Sequence, residues 1–515
     1  MTQAVDNKPY RLMAFKEFVP ETMRFWIYII WGVIFHLSGG IYIALASQMV
    51  GSLALLQEDV IFAGFSAFVG MTIIFPVLFR LKFRFTNKTL LLTASIGLII
   101  CNIITMNSSS LPVLVVVCFF AGILRVMGFF ECMSTIQLKI TPTRDFAKFF
   151  PVVYLVVLGC IQLSGITAGY MSYFYRWEYM NILAIGMLSV VAISCALLLR
   201  HFRAATPQPF TGIDWLGAFL WSLLIMLIIF VLEYGEHYDW LDSAYIRTAI
   251  AGAILIFGMI YWRSKYIQRP YIDLHVFKHR HVNTIIYLFT AMCLLMATPN
   301  VLQNAYTGVI LNYDMLTTLS LNWPVLAGII AGAVFSYLAM VKWGCSYKFV
   351  TGMGFAFIVF YVIAMYFLIS PATRKEQLYL PLFFRGAGNV VIYVVLTVYA
   401  ARTIPFMPFF QVLTVLGFVR TCVGIPLGTA IIGRALSICT KKDMMSLGSE
   451  IDLQNPIVNT MPFNRIMEEV HRQALMVSIK EIFGYAAIAG VFILILSLCT
   501  RYKSLIKWFK MPRWE

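Results

Sequence analysis

The chain has 515 residues, of which 61% are hydrophobic and only 12% charged, with a mean hydropathy of +0.83. A water-soluble domain carries about 25% charged residues, so this sequence cannot cover its own surface with polar groups. Its net charge of +16 would suit a nucleic-acid partner only if it were clustered on one soluble face, and its distribution excludes that.

Apolar runs of about 18–25 residues recur along the chain, each long enough to cross a bilayer core. None has the alternating pattern of a membrane β-barrel. The sequence predicts an all-α integral membrane protein with fourteen spans. They lie near 25–50, 58–79, 89–106, 111–134, 149–172, 179–199, 213–232, 244–262, 284–305, 317–341, 349–370, 379–400, 407–433 and 478–500. The ninth and tenth are the least regular, because Pro299, Asn300, Gln303 and Asn304 interrupt the apolar pattern. Residues 1–24 are polar and mixed, so no cleavable signal is expected.

Lys and Arg orient the spans. With the N-terminus in the cytoplasm, 26 basic residues fall in the termini and cytoplasmic loops. Only Arg176, Arg247, Arg374 and Lys375 fall in short outer loops. Both termini are therefore expected inside, and the +16 marks a cytoplasmic membrane face with no nucleic acid bound. A long polar outer segment over 434–477 escapes this bias. Within it, Asn464 to Leu475 suggests a short amphipathic helix lying on the outer surface.

The charge-rich segment 263–282 follows eight spans. Transporters are often built from two related bundles, and fourteen spans then divide as six, two and six. The expected order is a cytoplasmic N-terminus (1–24), an N-terminal six-helix bundle (25–200) and two additional central helices (201–265). A C-terminal six-helix bundle (266–500) and a basic cytoplasmic tail (501–515) follow. Gly165 and Gly169 in the fifth span recur as Gly424 and Gly428 in the thirteenth, a spacing that suits close helix packing.

Six short segments carry a family resemblance. They are Ser164–Tyr170, Arg176–Asn181, Asp214–Gly217, Tyr271–Lys278, Phe384–Gly388 and Phe418–Gly424. Together they resemble the major facilitator superfamily, and within it the fourteen-span drug:proton antiporters of the EmrB/QacA-like group. The resemblance covers residues 25–500. It implies two bundles that rock about a central site and proton-coupled efflux of lipophilic or cationic small molecules. It also implies an inner-membrane location; some relatives work with a periplasmic adaptor and an outer-membrane channel. The departures are specific. The family's acid is missing from the loop after the second span, which reads Pro76 to Arg84, and from the first span near Gly39 to Ala46. Cys118 stands where the fourth span usually has Arg.

Ionisable residues at membrane depth each need a reason, since insertion costs at least about 2.5–3.5 kcal/mol. Arg125 and Glu131 share the fourth span. Six residues separate them by roughly 9 Å along the axis and about 120° around it, so they do not stack. Glu131 is the one acid placed well inside the N-terminal bundle. It is open to two readings, as a proton carrier or as a structural pair with Arg125 or another cation. Arg385 and Arg420 read as anion-binding groups, counter-charges to a proton site, or caps for carbonyls at broken helices. Asn389 shares the face of Arg385. Gln162, Asn181, Gln303 and Asn304 are polar contacts or interhelical hydrogen bonds. His36 sits beside the missing first-span acid and reads as a titratable group or a packing residue.

His275, His279 and His281 with Asp273 suit a solvated loop better than a metal site. Ten scattered cysteines show no metal spacing, and no metal or cofactor is expected. Neither a Ser-His-Asp set nor paired membrane aspartates are present, which excludes the usual enzyme classes. A facilitator, symporter or exporter of an anionic metabolite or lipid is the competing function.

Overall fold

The computed structural model describes residues 12–39, 43–141, 145–203, 209–278, 280–451, 460, 462–500 and 502. Residues 1–11, most of the basic tail over 501–515, Arg144, His279 and Asp452 lie outside this set. Among the described residues the chain is helical throughout, and thirteen helices are long and apolar enough to cross a membrane. The fourteenth span is the first one, and it is broken.

Its main piece is α1 (Glu21–Leu37). The helix stops at Ser38, whose backbone is extended and whose hydroxyl donates to Ile34 O at 2.8 Å. A short apolar helix over Ile43–Leu53 completes the crossing. The continuous span expected over 25–50 is thus interrupted after Leu37. The remaining spans are α2 (Gln57–Arg84), α3 (Asn87–Asn107), α4 (Leu111–Ile140), α5 (Phe146–Phe174) and α6 (Glu178–Leu198). After these come α7 (Trp215–Tyr234), α8 (Ala244–Tyr266), α9 (His281–Ile310), α10 (Met315–Lys342), α11 (Tyr347–Leu368), α12 (Lys375–Thr403), α13 (Pro408–Ser449) and α14 (Phe463–Cys499).

Two features depart from the expected pattern. First, the described residues of 434–477 are mostly helical rather than a polar loop. Asn464 to Leu475 forms the start of α14, whose 37 residues extend about 55 Å, well past a core of about 30 Å. The Arg472–Glu469 pair at 3.1 Å lies one turn apart along it, and Ser478 donates to Asp443 Oδ2 on α13 at 2.6 Å. Polar side chains on this stretch satisfy each other along and between two helices, so nothing forces the chain onto the membrane surface. Second, α9, α10 and α13 contain π-helical segments at Pro299–Gln303, Tyr306–Ile310, Leu338–Lys342 and Phe418–Val423. Each wide turn shifts the facing of the residues beyond it.

The six helices α1–α6 and the six helices α9–α14 form two bundles. Between them, α7 packs on α2 and α13, and Trp221 stacks on Phe418 at 6.2 Å. The Asp214–Gly217 motif caps α7: Asp214 accepts from the Gly217 amide at 2.9 Å and from Arg263 at 2.7 Å. Burial raises the Asp214 carboxyl, but these donors outweigh it and hold the group below the usual aspartate range.

Small residues set the helix spacing. A Cβ at Gly328 on α10 would meet the Phe383 carbonyl of α12, and one at Gly388 would lie 2.7 Å from Gly354 O of α11. Gly169 faces Leu319, while Gly424 and Gly428 lie against Cys293 and Ala297 of α9. A Cβ at Gly165 would meet nothing within 4 Å. The two Gly-x-x-x-Gly repeats are thus used differently, one across the bundle interface and one within a bundle.

Candidate functional site

The bundles meet on both sides of a central cavity. Near the face that carries the N-terminal segment, Phe79 of α2 meets Phe410 of α13 at 4.6 Å, and Phe150 of α5 meets Phe409 at 6.5 Å. Beyond these rings Asp145, the N-cap of α5, pairs with Arg402 at the end of α12 at 2.6 Å. Arg402 also donates to Tyr347 at 2.8 Å. Toward the opposite face Gly169 packs on Leu319, and Gln48 reaches Met315 at 3.7 Å.

This cavity measures about 210 Å³. Its wall is largely aromatic and aliphatic, with Phe68, Phe75, Phe129, Phe149, Phe150, Leu413 and Tyr393 among its lining residues. Three of the basic residues singled out in the sequence line it: His36, Arg125 and Arg420. Arg385, Asn389, Asn181, Gln162 and Glu131 do not.

Arg420 sits on the π-helical turn of α13 and is 9% exposed. Its Nη1 donates to Tyr154 Oη at 2.6 Å, and the Tyr154 hydroxyl lies 2.8 Å from Thr397 Oγ1. The guanidinium packs over the rings of Tyr393, Tyr154 and Phe289 at 5.1, 5.4 and 5.8 Å, each a favourable cation–π contact. Its Nε has no hydrogen-bond partner among the described residues. On the other bundle, Arg125 Nη2 donates to the His36 carbonyl. That carbonyl belongs to the last turn of α1, where the helix leaves its acceptors unpaired. Arg125 therefore closes the broken first span, the capping role weighed for Arg385 and Arg420. His36 is 2% exposed, with both ring nitrogens unbonded among the described residues and Phe129 at 5.0 Å.

Glu131 is 3% exposed. Its Oε1 accepts from Lys82 Nζ at 3.3 Å, from Thr135 at 3.4 Å and from Asn87 Nδ2. Asn87 is held in turn by Tyr28 Oη at 3.1 Å. Lys82 also donates to Ser134 at 2.7 Å and Thr135 at 3.1 Å. The cation facing Glu131 is thus Lys82, from the segment where the resemblance expects an acid and basic residues together. The sequence reading missed Lys82, Asn87 and Tyr28. Spacing gave no signal for them, because α2 is kinked at Phe75–Val77, before the short stretch Leu78–Arg84 that carries Lys82. Glu131 Oε2 is buried without a partner among the described residues.

Arg385 belongs to a separate lock. Its Nη1 donates to Gln303 Oε1 at 2.9 Å, and Tyr361 donates to the same oxygen at 3.0 Å. Gln303 lies on a π-helical turn of α9. Asn389 is half-buried on α12 and Gln162 half-buried on α5. Asn181 is buried on α6, its side-chain oxygen unbonded among the described residues. In the central segment His275 pairs with Asp273 at 2.8 Å and His281 with Tyr399 at 2.8 Å. Among the described residues no His, Cys, Asp and Glu cluster is arranged to hold a metal.

No family model matches the chain. Over 353 residues it is 23% identical to the "Probable multidrug resistance protein EmrY" of Escherichia coli, covering 64% of this chain and 66% of that protein. Over 235 residues it is 24% identical to an uncharacterized MFS-type transporter of Mycobacterium tuberculosis, covering 45% of this chain and 38% of that one. The chain thus spans just under two thirds of the first relative and less of the second. The crystal structure of nucleoside transporter NupG superposes with a TM-score of 0.54 at 11% identity, covering 93% of this chain and all of that one. A point mutant of the same transporter gives the same score at 12% identity. At such identities the likeness to the solved structures fixes the fold.

Proposed function

We infer that this chain, an integral multi-pass membrane protein of the major facilitator superfamily, is a transporter that exports lipophilic small molecules by alternating access. The observation that carries the reading is the aromatic-walled cavity between two bundles that touch on both sides of it. Rocking the bundles would break one set of contacts at a time and open the cavity to one face. The ion pair Asp145–Arg402 and the Phe79–Phe410 contact hold one side. The Gly169–Leu319 packing holds the other.

Protons drive the cycle through Glu131. Its carboxylate is buried; Lys82 balances its charge and Asn87 donates to it, both from elements at the α2–α3 turn. A movement that withdraws Lys82 would leave the carboxylate uncompensated, and uptake of a proton would then be favoured. Loss of the proton restores the pair, so the two protonation states favour two arrangements of α2 against α4. The basic bias of the loops supports an inner-membrane orientation with both termini in the cytoplasm. The likeness to a multidrug resistance protein supports the lipophilic cargo. The projecting α13–α14 pair offers the surface that a periplasmic adaptor would use.

The test is cellular. Cells expressing the wild type are expected to accumulate less of a neutral lipophilic dye than cells expressing Leu413→Trp. The indole would fill the cavity that Leu413 lines. Equal accumulation at equal protein levels would remove the export reading.

A further inference from the structure

One side chain stands between the cavity and the Glu131 network. Ser134 lines the cavity, whereas Glu131, Lys82, Asn87, Thr135 and Tyr28 do not. It is half-buried rather than enclosed. Lys82 directs its three N–H groups to Ser134 Oγ at 2.7 Å, Thr135 Oγ1 at 3.1 Å and Glu131 Oε1 at 3.3 Å. The shortest of the three goes to the cavity residue. As an acceptor the Ser134 hydroxyl is thus fully used; as a donor it is nearly idle. Among the described residues its own proton reaches only the Glu131 main-chain oxygen, at 3.4 Å. That oxygen already accepts from Thr135 at 2.6 Å. A hydroxyl polarised by an ammonium is a stronger donor than an isolated one.

We propose that Ser134 is the positioning residue that links cargo to proton: it donates to a neutral acceptor on the cargo, such as a carbonyl oxygen, and so holds Lys82 against Glu131. The inference rests on the proton-driven export reading and supplies the contact that couples its two ligands. The chain runs from the cargo oxygen through the Ser134 hydroxyl and the Lys82 ammonium to the Glu131 carboxylate, and its links reinforce one another. Cargo engaged at the cavity end favours the ionised carboxylate. A protonated Glu131 no longer attracts Lys82, and the chain loosens. Cargo and proton therefore bind in opposition, the displaced proton passing to water, and each weakens the other by the same factor. A purely hydrocarbon cargo fills the cavity without engaging the chain. The groups around the carboxylate leave Lys82 as its counter-charge. Tyr28 of α1, Cys132 of α4 and Cys195 of α6 lie near it, and Lys88 of α3 lies near Cys195. Tyr and Cys side chains ordinarily titrate above about pH 8. Arg125 bonds the His36 carbonyl, and His36 lines the cavity, so a Glu131 variant is needed to separate the acid from the imidazole.

A ketone and its hydrocarbon isostere separate the acceptor from the shape. The full chain in lipid nanodiscs is titrated with 2-acetylnaphthalene and with 2-isopropenylnaphthalene from about pH 4 to about pH 8. Calorimetry in buffers of different ionisation enthalpy gives the protons released per molecule bound. The wild type is expected to release protons with the ketone and none with the hydrocarbon. It should bind the ketone at least about fivefold more tightly above the Glu131 titration than below it. Ser134→Ala should lose both the release and the pH dependence, and Ser134→Thr, which keeps the hydroxyl, should retain them. If Ser134→Ala does not fold, the wild type with the two probes decides alone: equal release by ketone and hydrocarbon overturns the proposal. Release that survives in Ser134→Ala but vanishes in Glu131→Gln overturns the role of Ser134 and leaves proton coupling through Glu131 standing. Release that persists in Glu131→Gln, or ketone binding without release in the wild type, overturns coupling through Glu131 and this inference with it. Failure of both probes to bind overturns the lipophilic reading and the inference together.

Discussion

Removing Lys82 tests the Glu131 network most sharply. In Lys82→Met the carboxylate keeps Asn87 and Thr135 as donors but loses its cation. The pair is nearly enclosed, with side-chain exposures of 12% for Lys82 and 4% for Glu131. Breaking such a pair from one side costs about 3–5 kcal/mol, and the two remaining donors place this case near the lower end, at about 3 kcal/mol. Glu131→Gln is not the mirror image. Lys82 keeps Ser134 and Thr135 as acceptors, and its long stem lets the ammonium reach water, so the cost is about 1 kcal/mol. In the double variant no buried charge is left uncompensated, and stability should recover by about 2 kcal/mol relative to the sum of the single changes. Reversible unfolding in mixed micelles, followed by circular dichroism at neutral pH, measures all four proteins. Equal losses in the two single variants, or an additive double variant, would refute the network as described.

Four further outcomes follow from the packing and the caps. Gly328→Ala drives a methyl group into the Phe383 carbonyl and should destabilise by at least about 1–3 kcal/mol. Gly165→Ala, with open space around it, should be neutral or stabilise by up to about 1 kcal/mol; the same unfolding assay compares them. Arg402→Ala should free the N-terminal face and raise the labelling rate of a cysteine placed at Ser134, which lines the cavity; an unchanged rate would show that the pair does not hold the face closed. Asp214→Asn keeps the cap of α7 but removes the charge facing Arg263. Because the folded carboxyl lies below its usual range, its contribution is fully present above about pH 4. The melting difference from wild type should shrink as the pH falls through the lower folded value, and a difference that grows on acidification would reverse the sign.

Much of the architecture was legible because membrane helices advertise themselves by length and apolarity. The breaks were legible in part: Pro299, Gln303 and Asn304 marked α9 as irregular, and π-helical turns occur there. Glu131 and Arg125 stood out because a charge at that depth needs a partner. Which partner was not legible. Lys82 reaches Glu131 across a kink in α2, and Arg125 bonds a main-chain carbonyl of α1, and neither relation leaves a mark on sequence spacing. Arg385 and Arg420 looked alike as lone cations in apolar runs. Packing divides them: a glutamine and a tyrosine lock Arg385 away from the cavity, while a π-helical turn delivers Arg420 to it. The long polar stretch before the last span was misread as a surface loop because its charges satisfy one another within helices.

The most direct test of proton-driven export is proton flux in vesicles reconstituted with the purified protein and carrying an imposed pH gradient. The account predicts that adding a lipophilic substrate collapses the gradient faster with the wild type than with Glu131→Gln, while Glu131→Gln still binds that substrate. Gradient loss at the same rate in both proteins would contradict it and leave Glu131 with a structural role alone.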